Sequence, residues 1–142
     1  FFNRFCDAFN KVYEMTKLGK LSNYLQIKVC WSDEGVSFSQ TRYIEQLAEV
    51  YNLESCNTKF IPMQPHFHIA KAVIDSPTIP YRNMLMSLMW VARNTRPDIL
   101  FAVTYLSQFS NAYSDGHYGA LRLILKYLIS TKKRCLRLRA NE

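Results

Sequence analysis

The sequence contains few of the residues that mark several common classes of protein. Its 142 residues include only four Gly and five Pro, which excludes a collagen-like or low-complexity chain. The four Cys form no Cys-x-x-Cys pair, so neither a zinc ribbon nor a redox dithiol is expected. We expect these Cys to be reduced thiols in an intracellular protein, either cytoplasmic or nuclear.

Long hydrophobic runs are also lacking. No apolar run approaches the roughly 20 residues that cross a bilayer, and the first residues carry charge without a signal-peptide cleavage site. We therefore expect no membrane segment and no secretory leader. The sequence begins without an initiator Met, so we expect a piece of a larger chain, long enough for one hydrophobic core.

Side chains that could perform catalysis are sparse. Polymerases and nucleases need clustered carboxylates to hold divalent cations, but the acidic residues here are scattered. The adjacent Asp33 and Glu34 fall in a predicted turn, where a solvated tip is expected. His66 and His68 have no second ligand pair at a recognised spacing, and no Gly-rich phosphate loop occurs. The chain by itself is therefore predicted to hold no catalytic residue, metal or cofactor.

Hydrophobic periodicity predicts a β-hairpin between two amphipathic helices. Residues 25–31 and 36–39 alternate apolar and polar side chains on either side of a turn that ends in Gly35. Apolar residues at helical spacing precede the hairpin and stop near Gly19. The pattern returns to helical spacing after the hairpin, which predicts a helix over residues 41–53.

The second half of the chain is predicted to be helical. Residues 54–80 hold four of the five Pro, so they form a predicted linker loop between residues 1–53 and residues 81–142. Three helices follow, and the second of them opens on a Thr-x-x-Asp spacing that matches a capping box. The first helix covers about residues 81–93, the second begins at residues 95–98, and the third covers about residues 114–130. The elements together indicate an α+β fold with a hairpin, flanking helices and a helical bundle.

Positive charge is concentrated at the C-terminal end. Residues 116–142 hold seven Lys and Arg against Glu142 alone, whereas residues 1–115 are nearly neutral. Such a patch attracts polyanions, with nucleic acid first and an anionic membrane surface second. A solvated helix end whose cations complement the helix dipole explains the same pattern. If the partner is nucleic acid, the residues that meet phosphates are Arg122, Lys126, Lys132, Lys133 and Arg134.

One face of the predicted helix 81–93 is a second candidate surface. Arg82, Met86 and Trp90 are spaced i, i+4, i+8 and therefore share a face. An Arg, a flexible thioether and an indole in line can lie against a duplex groove. Alternatively Met86 and Trp90 pack into the core, and spacing alone favours the core.

Several short motifs in a consistent order carry a family resemblance. The most specific is the block formed by Thr95, Arg96, Pro97 and Asp98, followed by Ile99. The others are residues 13–19 (YEMTKLG), 24–27 (YLQI), 38–44 (FSQTRYI), 81–82 (YR), 87–90 (SLMW), 106–109 (LSQF), His117 and 125–128 (LKYL). From about residue 9 to residue 139 the sequence resembles the C-terminal part of the reverse transcriptase in Ty1/copia-type retrotransposon Pol polyproteins.

The resemblance implies a fragment of a right-hand polymerase. The hairpin of residues 25–38 is similar to the primer grip at the palm edge, and the helices of residues 81–142 look like the thumb. The family pattern has Gly at positions 26 and 86, where this chain has other residues. The residues implied to contact the template–primer duplex, in addition to the basic set above, are Gln26, Lys28, Arg82, Met86 and Trp90.

The resemblance also implies partners outside these 142 residues. In the family, the upstream palm and fingers carry the metal-binding Tyr-x-Asp-Asp turn, and an RNase H domain follows downstream. Mg²⁺ is therefore expected only together with an upstream catalytic palm, and this chain alone is predicted to be inactive as an RNA-directed DNA polymerase. The alternative is a truncated, non-catalytic remnant that is inert or acts as a protein-interaction module.

Overall fold

The computed structural model describes residues 2–14, 16, 19–71 and 78–139. The helices in these residues are α1 (Phe2–Asn10), α2 (Thr41–Val50), α3 (Tyr81–Asn94), α4 (Leu100–Ser107) and α5 (Asp115–Ser130), with a short 3-10 helix at Pro97–Ile99. The strands are β1 (Asn23–Tyr24), β2 (Ile27–Ser32), β3 (Gly35–Ser39) and β4 (Leu136–Arg139). The predicted α+β class is confirmed.

The four strands form one antiparallel sheet in the order β1-β2-β3-β4. The predicted hairpin is confirmed as β2 and β3, whose turn ends at Gly35 with a φ of 137° that favours glycine. Strand β4 was not predicted, although residues 136–139 alternate Leu and Arg. The high charge of this segment obscured its period-two pattern.

Helix α1 is shorter than its sequence pattern predicts. It ends at Asn10 and passes into a turn in which the N–H groups of Val12 and Tyr13 donate to the Phe9 carbonyl. The predicted end near Gly19 is therefore wrong, and its neighbour Leu18 lies outside the described residues. Aromatic side chains follow one side of α1, and each is at least 41% exposed.

Among the described residues, one hydrophobic core lies between α2, α3, α4 and α5. Tyr81 and Leu88 of α3 are fully buried, and Ile44 of α2 joins them although it precedes the long loop. Residues 54–71 and 78–80 contain neither helix nor strand, while the division into segments 1–53, 54–80 and 81–142 stays a prediction. Helix α5 contributes a stripe of four buried apolar residues to this core: Leu121, Ile124, Leu125 and Leu128.

The predicted capping box at Thr95 and Asp98 is wrong. The Thr95 hydroxyl is buried and donates to Oε1 of Gln40 at 2.8 Å, so it does not cap the helix that follows. Asp98 is instead engaged by Arg96. A long-range partner for Thr95 and a neighbouring cation for Asp98 thus replace the local capping bonds, because burial penalises any unpaired polar group.

Helix α5 begins with a reciprocal cap that uses a histidine. The Ser114 N–H donates to Nδ1 of His117 at 3.1 Å, so His117 takes the place that Glu or Gln holds in a capping box. His117 is fully buried against Phe109, with ring centroids 4.4 Å apart. Burial lowers the pKa of His117 below its ordinary value of 6.5.

Candidate nucleic-acid interface

Helix α3 separates a buried face from an exposed face. Leu88 on the buried face has no exposed surface, whereas Met86 is 65% exposed and Trp90 is 36% exposed. The core interpretation, which spacing alone favoured, is therefore wrong for Met86, and much of the Trp90 ring also reaches the surface. The packed face fixes the helix and leaves the opposite face available for a partner.

Two arginines flank the exposed Met86 and Trp90. The Arg82 guanidinium donates from Nε to the Ser110 carbonyl at 2.8 Å and from Nη2 to Oδ1 of Asn111 at 3.0 Å, which orients it. Arg93 is exposed three turns further along the same face and was not singled out from the sequence. Its i+11 spacing from Arg82 could have identified it. We call Arg82, Met86, Trp90 and Arg93 the α3 ridge.

The turn between β1 and β2 gives a structural reason for the Gly that the family pattern has at position 26. Leu25 and Gln26 both have positive φ, 46° and 68°, as the two central residues of a type I′ turn require. Glycine adopts this conformation without the steric cost that a side chain brings. The backbone conformation therefore provides a local reason for Gly at position 26.

Gln26 and Lys28 lie beside an open depression of about 1060 Å³. Lys28 is exposed on β2, and Arg42 at the start of α2 contributes a second cation to the lining. Arg42 was not among the residues predicted from the sequence, because an isolated Arg in an amphipathic helix carries no distinctive pattern. Glu45 also lines the depression, so its charge is mixed.

The basic residues that follow α5 are partly engaged within the protein. Lys132 forms an ion pair with Glu45, with a distance of 2.7 Å between Nζ and Oε1. Arg134 donates from Nη1 to the Tyr127 hydroxyl at 2.9 Å. Lys133 is exposed and has no ion pair within the described part of the chain. Of these three side chains, Lys133 is therefore the most available to a phosphate.

The remaining two basic residues lie on α5 itself. Arg122 is half-buried, with its guanidinium carbon 5.9 Å from the centroid of the Tyr118 ring. Lys126 is half-buried one turn further along. Residues four apart share a helix face, so both cations lie on one side of α5 beside its buried leucine stripe.

The Thr-Arg-Pro-Asp block forms a structural network. The buried Arg96 guanidinium donates two hydrogen bonds to the Asp98 carboxylate, at 2.9 and 2.7 Å, and two more to Thr131, through its carbonyl and hydroxyl oxygens. The Tyr127 hydroxyl also donates to Asp98, at 2.7 Å. This network joins the start of α4 to the end of α5 and thereby fixes the path of residues 131–134.

The same network sets the ionisation of Asp98. Burial raises the pKa of this carboxyl, but hydrogen bonds from Arg96 and Tyr127 outweigh that effect, and the net pKa lies below the ordinary value. Asp98 therefore stays ionised and continues to hold Arg96 at neutral pH. Asp98 thereby helps to hold the start of α4 against the end of α5.

Two properties of the described residues bear on function. Residues 2–14, 16, 19–71 and 78–139 contain no group of three or more His, Cys, Asp or Glu side chains that could hold a metal ion. In the same residues, no helix has both the length and the apolar character needed to cross a membrane.

Comparisons with known proteins find relatives among retrotransposons. The chain is 28% identical, over 99% of its length, to a putative transposon Ty5-1 protein of Saccharomyces cerevisiae, of which it covers 46%. It is 28% identical over 89% of its length to the retrovirus-related Pol polyprotein from transposon TNT 1-94 of Nicotiana tabacum, and 35% identical over 79% to that from transposon RE1 of Arabidopsis thaliana.

The chain spans less than half of each of these relatives, covering only 10% of the tobacco polyprotein and 8% of the Arabidopsis one. No protein-family model matches it, and no solved structure matches it significantly. The chain is homologous to a part of the Pol polyproteins of Ty1/copia-type retrotransposons.

Proposed function

We propose that this chain binds template–primer duplex as part of a retrotransposon-derived RNA-directed DNA polymerase. The α3 ridge is the observation that carries the proposal. It aligns two cations with an exposed thioether and indole on a helix whose opposite face is locked into the core. The Arg side chains suit phosphates, and the apolar Met and Trp side chains suit the sugar surface of a groove.

The length of the ridge suits a nucleic-acid duplex. Arg82 and Arg93 are eleven residues apart, which corresponds to about 16 Å along a helix axis. Per strand, a duplex presents one phosphate for about every 3.4 Å of its axis, so the two arginines can reach phosphates several steps apart. Met86 and Trp90 lie between them and would cover the intervening groove.

The proposal is tested with Trp90→Ala and a short RNA–DNA hybrid duplex, with binding measured by fluorescence anisotropy. Affinity should fall at least about fivefold, because truncating a central tryptophan of an interface typically costs more than about 1 kcal/mol of binding free energy. Trp31→Ala is the matched control, since Trp31 is also exposed but lies on the sheet. Equal affinities for the two variants would contradict the proposal.

Position 86 provides a test in the opposite direction. Met86→Gly should allow closer approach of the duplex and tighten binding, as the glycine of the family pattern would. The substitution costs about 1 kcal/mol of helix propensity, so stability must be measured in parallel by urea unfolding. Weaker or unchanged duplex binding by a folded Met86→Gly variant would show that position 86 does not contact the groove.

Catalysis is proposed for a larger assembly. The relatives are polyproteins of which this chain matches a small part, and we propose that an upstream palm supplies the carboxylates and Mg²⁺ that phosphoryl transfer requires. The downstream RNase H domain would belong to the same polyprotein. In this arrangement the chain positions the duplex and takes no part in the bond-forming step.

A protein-interaction role is a second candidate, favoured by α1. Phe5 and Phe9 stack with ring centroids 5.7 Å apart, Tyr13 continues the row, and all three are at least 41% exposed. A row of exposed aromatic side chains is typical of a surface that another protein covers. Replacing Phe5 and Phe9 by Asp should abolish capture of the remainder of a copia-type Pol polyprotein, and retained capture would exclude this surface.

A further inference from the structure

Two neighbouring depressions of opposite charge lie at the end of helix α5. The first has a volume of about 210 Å³, and three carboxylates line it: Glu45, Glu49 and Glu54. The second has a volume of about 500 Å³, and its charged lining residues are all basic: Lys132, Lys133 and Arg134. Ile129 and Lys132 line both depressions, which therefore share a boundary. The surface around the end of α5 thus has an acidic half and a basic half.

The acidic depression has an apolar floor. Ile44 and Ala48 of α2 are buried, and the half-buried Ile129 of α5 lines the same depression. Its volume of about 210 Å³ is below the roughly 300–1,000 Å³ of small-molecule sites, so it suits a single apolar side chain. We call this depression the acidic hollow.

Phe60 is an exposed aromatic side chain on the basic half of this surface. It lines the basic depression, yet 83% of its surface is exposed, the largest fraction for any large apolar side chain among the described residues. Its chain segment is attached to α5, because the Lys59 N–H donates to the Ser130 hydroxyl at 3.0 Å. Covering an apolar ring removes it from water and is favourable. Phe60 is therefore an anchored apolar knob beside several cations.

Several charges on the two halves are available to a partner. At the boundary, Lys132 pairs with Glu45 at 2.7 Å. Glu49 and Glu54 on the acidic half and Lys133 on the basic half are exposed, and none of the three forms an ion pair within the described ranges. A partner that complements this surface must therefore carry both signs of charge.

We infer that this surface pairs two copies of the chain about a two-fold axis. Since the acidic hollow and the Phe60 knob share a boundary, a two-fold axis through that boundary brings each knob to the hollow of the other copy. Phe60 of one copy then fills the apolar floor of the other, and Lys133 meets the carboxylates of Glu49 and Glu54. One surface thus supplies both complementary parts, as a two-fold interface requires.

A second copy suits the whole surface better than a nucleic acid does. The carboxylates of the acidic hollow repel phosphates, and a purely acidic peptide would satisfy only the basic half. The contact consists of one aromatic side chain and a few ion pairs on each copy, which places it among weak interfaces, below about 1,200 Å². The dimer should therefore form only at high chain concentration and weaken with added salt. It uses none of the α3 ridge, so it can form whether or not the ridge binds duplex.

The first test measures self-association of nuclease-treated protein by analytical ultracentrifugation over roughly 5–500 μM, a range that covers weak affinities. The wild-type chain should shift from monomer to dimer. Phe60→Ser should raise the dissociation constant at least about tenfold, because a buried aromatic anchor dominates the energy of an interface. Phe101→Ser is the matched control, since Phe101 is 78% exposed on α4 and lines neither depression. A wild-type chain that stays monomeric throughout, or equal losses for the two variants, would overturn the inference.

A charge exchange tests the two-fold geometry itself. Lys133→Glu and Glu49→Lys each place like charges opposite one another, so each variant alone should associate at least about fivefold more weakly. In an equimolar mixture, every ion pair is restored with reversed polarity, and association should return close to the wild-type level. Circular dichroism verifies that each variant is folded. A mixture that associates no more strongly than either variant alone would contradict the pairing.

Two other outcomes would assign self-association to a different cause and overturn the inference. Association that persists in Phe60→Ser, but is lost when Phe5 and Phe9 are replaced by Asp, would place the contact on α1. A dimer that forms only after oligo(dT) is added would be bridged by nucleic acid.

Discussion

The buried His117 makes stability depend on pH near neutrality. Its Nδ1 accepts the Ser114 N–H, so the neutral ring carries its proton on Nε2, which has no hydrogen-bond partner among the described residues. Protonation would place a charge in the core and a hydrogen on Nδ1, which could then no longer accept the cap. Both effects favour the neutral ring and agree with a pKa held below 6.5 by burial.

The sign and size of the effect follow from proton linkage. The unfolded chain takes up the His117 proton as the pH falls through about 6.5, while the folded chain does not until its lower pKa is reached. Stability is therefore complete above this range and is lost as the pH falls. For one proton the slope of stability against pH cannot exceed about 1.4 kcal/mol per pH unit, and it approaches this value only below about pH 6.5. Lowering the pH from 7.5 to 5.5 therefore costs at most about 1.4 kcal/mol of unfolding free energy.

Urea unfolding at a series of pH values measures this loss. His117→Gln should flatten the profile between pH 5.5 and 7.5 and still fold, because Gln at this position can accept the same capping bond. His66→Gln is the matched control, since it makes the same substitution at an exposed histidine in the loop. If His117→Gln retains the full pH dependence of the wild type, the titration of His117 is not its origin.

Further predictions concern the turn, the core, the structural motif and catalysis. Gln26→Gly should stabilise the fold by up to about 1 kcal/mol in urea unfolding, because position 26 has a positive φ; destabilisation would contradict this account of the turn. Leu88→Ala should cost about 2–5 kcal/mol and Met86→Ala less than about 1, and similar losses would contradict the assigned faces of α3. Arg96→Met should lower the thermal midpoint by several degrees, because it leaves the Asp98 carboxylate without its main partner, and an unchanged midpoint would exclude a stabilising role for the network. The purified chain should incorporate no nucleotide on a primed RNA template with Mg²⁺ or Mn²⁺, and incorporation that survives repurification would refute this.

Local patterns in the sequence are sufficient to predict most of the elements. Residues 25–39 alternate around a turn, and the leucines of α5 repeat at helical spacing, so both elements could be predicted from neighbouring residues alone. The ordered motifs also indicated the relatives, because the order and spacing of residues along a chain can be read from its sequence without the structure. The concentration of positive charge was equally visible in the composition.

Only the tertiary structure decided which side chains reach the surface and which partners they take. Met86 and Leu88 lie on one helix, and the packing of α3 against α4 and α5 determines that one is exposed and the other buried. A long-range hydrogen bond to Gln40 likewise engages the Thr95 hydroxyl, which therefore does not cap the helix that follows. Strand β4 needs β3 as a pairing partner about 100 residues earlier in the chain, and no local pattern encodes such a contact.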